Sequence, residues 1–156
     1  MKDIEQMLAE HPFFGGIEHA DLAYLAGCAH NEIFEPGKTI FREGKPANAF
    51  YIIRQGDVAL MLRDAPRGPL TIETLHEGDV MGWSWLFPPY QGRFDARANT
   101  ITRVTTFDGT CLRKKCEQTP RLGYELMKRF AGSMADRFTQ TRMQLIDVYG
   151  NPAHDS

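Results

Sequence analysis

The chain has 156 residues, with 18 Lys+Arg against 20 Asp+Glu and a formal net charge of −2. That balance excludes a broadly basic nucleic-acid binder and leaves open only a local basic face. With 42 % hydrophobic and 24 % charged residues, the composition is that of one folded domain with its own core, not a disordered chain. No apolar run approaches the roughly 20 residues of a membrane span. The opening Met1-Lys2-Asp3-Ile4-Glu5 lacks the basic end and apolar block of a secretory signal. A cytoplasmic location with no membrane partner is expected. Cys28, Cys111 and Cys116 are an odd set without close pairing and do not read as a disulfide framework; Cys28 reads as core packing.

Residues 2–29 read as helical, with Ile4, Met7 and Leu8 on one face and Leu22, Leu25 and Ala26 on another. Pro12-Phe13-Phe14-Gly15-Gly16 breaks the two helices apart. From 30 to 108 short β-rich runs alternate with turn formers. The predicted strands are His30–Glu35, Lys38–Arg42, Ala49–Arg54, Val58–Arg63, Leu70–Leu75, Val80–Trp83, Arg93–Thr100 and Thr102–Asp108. Short strands at regular spacing argue for a jelly roll rather than an α/β sheet. Residues 109–149 return to helix: a short piece, Thr110–Gln118, stops before Pro120. Then Leu122, Leu126, Phe130, Met134, Phe138, Thr141, Leu145 and Val148 recur at spacings of three and four. Gly150-Asn151-Pro152 ends the run, and 150–156 reads as a flexible tail. The expected class is α+β, mainly β: an eight-stranded antiparallel jelly-roll barrel with N-terminal helices and a long C-terminal dimerisation helix, all one domain over 1–149.

The stretch Pro36-Gly37-Lys38-Thr39-Ile40-Phe41-Arg42-Glu43-Gly44 is followed by Asn48-Ala49-Phe50-Tyr51-Ile52-Ile53-Arg54-Gln55-Gly56-Asp57-Val58 and by Glu77-Gly78-Asp79-Val80-Met81-Gly82. This ladder resembles the cyclic-nucleotide-binding domain of Crp/Fnr-type regulators, over about residues 10–149. Glycines at 37, 44 and 56 allow the tight turns, and the apolar block 50–53 suits a strand buried on both faces. The resemblance implies a ligand-sensing role and a long helix that packs over the pocket and pairs across a two-fold axis. Leu126, Phe130, Met134, Phe138, Thr141 and Leu145 are then the expected dimer interface.

The resemblance also implies a phosphate-binding cassette after Gly82, and here the wording departs from the family. Gly82 keeps its place, and Ser84 stands near the start of a short helix whose free N–H groups can receive an anion. Trp83 replaces the glutamate that takes the ribose hydroxyl; an indole donates and cannot accept. Counted forward from Gly82 and back from Thr102-Arg103-Val104, the phosphate arginine's place is Gly92, and Arg93 stands one residue late. Freedom in the loop Pro88–Gly92 can correct that slip. Arg97, four residues on, is the second candidate; its alternative role is a surface pair with Asp95. Trp83, Trp85, Phe87, Tyr90 and Phe94 either line a stacked ligand site or fill it. Thr141 and Arg142 match the positions from which related domains reach the base.

No Walker loop, nucleophile elbow or paired carboxylates stand out, so no catalytic residue and no metal ligand is expected. The five histidines show no i, i+4 metal spacing, and three cysteines fall short of a thiolate cluster. The leading expectation is a non-catalytic sensor for a cyclic nucleotide or other small anion, with cyclic AMP and cyclic GMP disfavoured by the altered cassette. Two alternatives stay open: a ligand-free dimeric scaffold, and a haem-based redox or gas sensor. Relatives carry a helix-turn-helix beyond the long helix; Asn151–Ser156 has no such character, so a free-standing domain that binds no nucleic acid is expected.

Overall fold

The computed structural model describes residues 3–82, 84–86 and 88–150, with side chains at 141, 144, 145 and 147–150 left aside. Residues 151–156 of the expected tail lie outside the described residues. Eight strands form two antiparallel four-stranded sheets: β1 (Ala29–Phe34), β8 (Thr102–Asp108), β3 (Ala49–Gln55) and β6 (Val80–Met81) in one, and β2 (Thr39–Phe41), β7 (Asp95–Ala98), β4 (Val58–Leu62) and β5 (Leu70–Leu75) in the other. Four helices accompany them: α1 (Ile4–Glu10), α2 (His19–Ala26), α3 (Gly109–Gln118) and α4 (Pro120–Gly150). The expected jelly roll, with helices before and after it, is what forms.

Strand β3 explains the layering. Its alternation sends Phe50 and Ile52 to the helix side and Ile53 and Tyr51 to the barrel side, so both faces are covered. The helix layer is an aromatic core of Phe14, Phe50, Phe107, Trp85 and Phe130 with Leu8, Leu22, Leu25, Leu122 and Leu126. Between the sheets lies a smaller core of Ile53, Val58, Leu60, Leu75, Met81, Ala96 and Val104. Asp3 caps α1, accepting from the Gln6 N–H at 2.8 Å, while Gln6 returns a bond to the Asp3 N–H at 3.1 Å.

Two expectations about the helical zone are corrected. First, Cys28 and Cys111 are joined by a disulfide, and Cys116 alone is free. The antiparallel pairing of β1 with β8 sets Ala29 opposite Phe107, and the Asp108 N–H donates to the Cys28 carbonyl at 2.8 Å. That register carries the first turn of α3 onto Cys28. The 83-residue separation hides the pairing from any local reading. A native cross-link over a loop of this length contributes roughly 2–4 kcal/mol. Cys111→Ser is therefore expected to lower the unfolding free energy by that order, and thiol titration of the denatured, unreduced wild type should count only Cys116.

Second, the apolar stripe of α4 does not face one way. Leu122, Leu126 and Phe130 are 0 %, 2 % and 4 % exposed, packed into their own helix-layer core. Leu126 and Phe130 are therefore not available to a partner, contrary to the expected interface. Met134 is half-buried and Phe138 is 70 % exposed. The exposed seam runs instead through Tyr124, Met127, Ala131, Met134 and Phe138, at spacings of three and four.

Candidate functional site

The end of the barrel near Gly82 is built from three pieces. The β2–β3 loop forms one wall, residues 84–86 and 88–94 a second, and α4 closes the third. Backbone bonds pin the second piece to the first: the Gly44 N–H donates to the Gly92 carbonyl at 2.8 Å, the Gly92 N–H to the Lys45 carbonyl at 2.9 Å, and the Ala47 N–H to the Tyr90 carbonyl at 2.7 Å. A Cβ at Gly92 would stand 2.5 Å from the Arg42 carbonyl oxygen, so this position cannot carry a side chain without moving the loop. The place counted for the phosphate arginine is thus a backbone contact. The next residue, Arg93, lines a cavity with Phe41, Leu60, Met81, Gly82, Ser84, Phe94 and Arg137. Gly82 has φ +83°, and a Cβ there would meet the Ala49 carbonyl at 2.8 Å, so glycine is required on both counts.

Arg97 goes the other way. Ala96 and Ala98 are buried and Arg97 is exposed, which puts it on the outer face of the sheet. Arg93 precedes the first strand residue, Asp95, so strand parity does not tie the two arginines together. Arg97 lines an outer groove with Arg42, Arg63 and Asp95 and does not meet the barrel cavity. The acid of that groove pairs with Arg63, Nε to Oδ2 at 3.8 Å.

The cavity at Arg93 is small, about 20 Å³, room for about one water. Phe94 and Arg137 help to fill it. Arg137 Nη2 donates to the Val80 carbonyl, which holds α4 against β6. A neighbouring cavity of about 330 Å³ shares Phe41, Gly82 and Ser84 and extends under the β2–β3 loop along Lys45, Asn48 and Tyr51. The Phe41 and Tyr51 rings stack at 5.9 Å. Burial, with the Glu32 charge adding, pushes the Tyr51 phenol up to about 12, so it remains a hydroxyl donor at neutral pH. Neither cavity has a carboxylate among its lining residues.

The short helix after Gly82 is a single 3-10 turn, Ser84–Leu86, with Ser84 and Trp85 buried. Trp85 does not line a ligand surface. It is fully buried in the helix layer, 5.5 Å from the Phe130 ring centroid, and its indole N–H has no hydrogen-bond partner among the described residues. Helix α3 clamps this turn from outside: Arg113 Nη1 donates to the Trp85 carbonyl at 2.5 Å, and its guanidinium lies 4.6 Å from the Tyr90 ring centroid. Trp83 and Phe87 lie outside the described residues, as does the Thr141 side chain; Arg142 is exposed. Arg137 is the site residue that sequence reasoning missed. Continuing the buried face of α4 from Leu126 and Phe130 by further steps of three and four reaches Ser133 and Arg137, both half-buried.

Three of the histidines are already engaged: His11 Nε2 lies 2.8 Å from the Gly78 carbonyl, His30 Nε2 2.7 Å from Glu32, and His76 Nδ1 2.7 Å from Asp57. The disulfide removes Cys28 and Cys111 from the pool of thiolate ligands for a haem. Among the described residues no helix is long and apolar enough to cross a membrane.

A two-sheet roll with a helical layer on one face and a glycine-backed, cationic cavity at one end has the architecture of a small sensory domain. The sequence over residues 31–119, more than half of the chain, matches the cyclic nucleotide-binding domain family. The chain belongs to that family. It is 28 % identical over 146 residues to a CRP-like cAMP-activated global transcriptional regulator of Mycobacterium tuberculosis, covering 93 % of this chain and 63 % of the relative. The chain thus spans a little under two-thirds of that relative's length. A cyclic nucleotide-binding domain from Methylobacillus flagellatus superposes with a TM-score of 0.79 at 17 % identity, over 92 % of this chain and 81 % of the other. The regulatory subunit of a cAMP-independent protein kinase A from Trypanosoma cruzi, bound to guanosine, matches with a TM-score of 0.61 at 26 % identity, over 81 % and 49 % of the two chains.

Proposed function

We propose that this chain is a non-catalytic regulatory domain that senses a small anion other than cyclic AMP or cyclic GMP. The observation that carries the reading is the set of groups around Gly82. Arg93, which is exposed, and the half-buried Arg137 line one cavity with Ser84, and among the described residues its lining holds no carboxylate to accept a ribose hydroxyl. The family's ordinary ligand needs both an anion site and a sugar acceptor; only the first has support here. The guanosine-bound relative shows that a fold of this family can be cAMP-independent.

The sensing step follows from Arg137. An anion that draws this guanidinium off the Val80 carbonyl frees α4 from β6, and it shifts the helix only insofar as it binds the freed arrangement more tightly. The exposed seam of α4 supports a homodimer as the reader of that shift. Arg97 and Arg142 carry no part of this step; Gly82 and Ser84 do, and Trp83 and Thr141 retain their proposed places by sequence.

Calorimetry with cyclic AMP and cyclic GMP at millimolar concentration is expected to give no saturable heat. Native mass spectrometry of freshly purified protein is expected to show a small co-purifying anion that Arg93→Ala loses. A saturable cyclic-nucleotide isotherm abolished by Arg93→Ala would return the site to the family's ordinary ligand. A bare protein in native spectra, with no cyclic-nucleotide heat, favours the second reading. That reading is a ligand-free scaffold, and the small size of the cavity, about 20 Å³, supports it.

A further inference from the structure

The helix-layer core packs on the sheet β1-β8-β3-β6. The outer face of the sheet β2-β7-β4-β5 carries two rows of side chains set by register. Thr39, Arg97, Ala59 and Thr74 stand in one row, and Asp95, Met61 and Thr71 in the next. Ala59 has no side chain beyond its methyl and is 2 % exposed, so the longer side chains around it form the rim of a groove. The groove has a volume of about 260 Å³ and is bordered by Arg42, Arg63, Arg97, Thr39, Met61 and Asp95.

Its charge is unbalanced. Three guanidiniums face one carboxylate, and that carboxylate is already committed: Asp95 Oδ1 accepts from the Glu43 N–H at 2.8 Å, while Oδ2 lies 3.8 Å from Arg63 Nε. Among the described residues neither Arg42 nor Arg97 has an ion-pair partner. A chain with a net charge of −2 has concentrated positive charge on this one face. Guanidinium forks bind phosphoryl oxygens in pairs, and the Thr39 hydroxyl adds a donor beside Arg97.

We propose that this outer groove is a second anion site, separate from the barrel cavity, which binds a free phosphoryl compound of at least two negative charges. The excess of two positive charges calls for a dianion or more. The groove's size suits one or two phosphoryl groups and is too small to seat a nucleic-acid duplex, which the overall acidity of the chain also disfavours. The bound anion would tie Arg42 and Arg63, the residues just past the ends of β2 and β4, to Arg97 on β7. It would therefore brace Arg42, whose carbonyl lies against Gly92 in the wall of the barrel cavity.

Inorganic pyrophosphate is the probe, titrated calorimetrically into the whole chain at physiological ionic strength. Saturable binding is expected. Arg97→Ala and Arg63→Ala should each weaken it by about tenfold or more, with Arg97→Lys intermediate because an ammonium lacks the fork. Both positions are solvent-exposed, so the variants keep their fold, as circular dichroism will check. Arg93→Ala, altered in the barrel cavity, should keep its pyrophosphate isotherm. The proposal is overturned by no saturable heat at about 10 mM, or by binding that survives Arg97→Ala and disappears in Arg93→Ala. Equal affinity for sulfate would reduce the groove to unspecific charge and also overturn it. A phosphoserine peptide that binds where pyrophosphate does not would reassign the groove to a phosphorylated protein.

Discussion

Phe130→Ala is expected to lower the unfolding free energy by about 3–5 kcal/mol, the range for removing a buried ring from a packed core. Against a typical domain stability of about 5–15 kcal/mol, that is about a fifth of the total or more. Phe130 is 4 % exposed, and its ring centroid lies 4.8 Å from Phe50, 5.1 Å from Phe13 and 5.5 Å from Trp85. The edge-to-face contacts with Phe13, Phe50 and Trp85 add roughly 0.5–1.5 kcal/mol each beyond the buried area. Phe13 from the 3-10 turn Pro12–Phe14, Phe50 from β3 and Trp85 from the turn after Gly82 cannot all collapse into the space, because each is held by its own backbone. Urea unfolding followed by tryptophan fluorescence measures the loss. The expectation fails if Phe130→Ala costs under about 1 kcal/mol, the size of a surface change.

The same contact carries a functional consequence. Trp85 sits in the turn that begins with Ser84, one of the residues lining the cavity at Arg93. Phe130 touches Trp85 and stands two helical turns before Arg137, whose guanidinium reaches the Val80 carbonyl. Helix α4 therefore meets the cavity twice, through an aromatic packing contact and through a charged hydrogen bond. Hydrogen exchange at residues 80–86 should rise in Phe130→Ala even under conditions where the chain remains folded.

Much of this architecture was legible because it rests on local chemistry. The four apolar residues Phe50–Ile53 announce a strand covered on both sides, and the glycines at 37, 44 and 78 fall at turns with positive φ. The lining of the candidate cavity was legible at Gly82 and Ser84 and blurred beyond them. Whether residue 92 or 93 faces the cavity depends on how 90–92 bonds to the β2–β3 loop, a contact between segments about 45 residues apart. Strand parity linked Arg97 to Arg93 only on the premise of an unbroken strand, and the strand begins at Asp95. The Cys28–Cys111 bond was illegible for the same reason of sequence distance. The stripe on α4 was seen, but periodicity cannot tell which of two neighbouring apolar seams meets the chain's own core. Only the docking of Leu126 and Phe130 decides that, and it turns Phe138 outward.

Phe138→Glu is accordingly expected to convert a dimer into a monomer while leaving the subunit folded. Helix α4 has 31 residues, about 46 Å at 1.5 Å per residue. Its exposed seam of Tyr124, Met127, Ala131, Met134 and Phe138 follows a heptad, and the same spacing continues in the sequence through Thr141, Leu145 and Val148. Tyr124, Met127 and Phe138 are 63 %, 37 % and 70 % exposed, a row of large apolar groups that no described residue buries. Parallel pairing of two such helices across a two-fold axis sets each seam residue against its own counterpart. A glutamate at 138 would then face a second glutamate in a desolvated layer. Burying a carboxylate without a partner costs about 3–5 kcal/mol, and the dimer suffers it twice, a loss of several decades in association constant. The isolated subunit loses little, because Phe138 makes no core contact within it; its stability should change by about 0.5 kcal/mol or less. Sedimentation velocity of wild type and variant, beside their urea midpoints, separates the two effects. A variant that sediments as the wild-type dimer would place the interface elsewhere, and a wild type that is monomeric at about 100 μM would remove the interface altogether. The outcome bears on signalling as much as on assembly, since a helix released from Val80 can inform a partner only where the two helices touch.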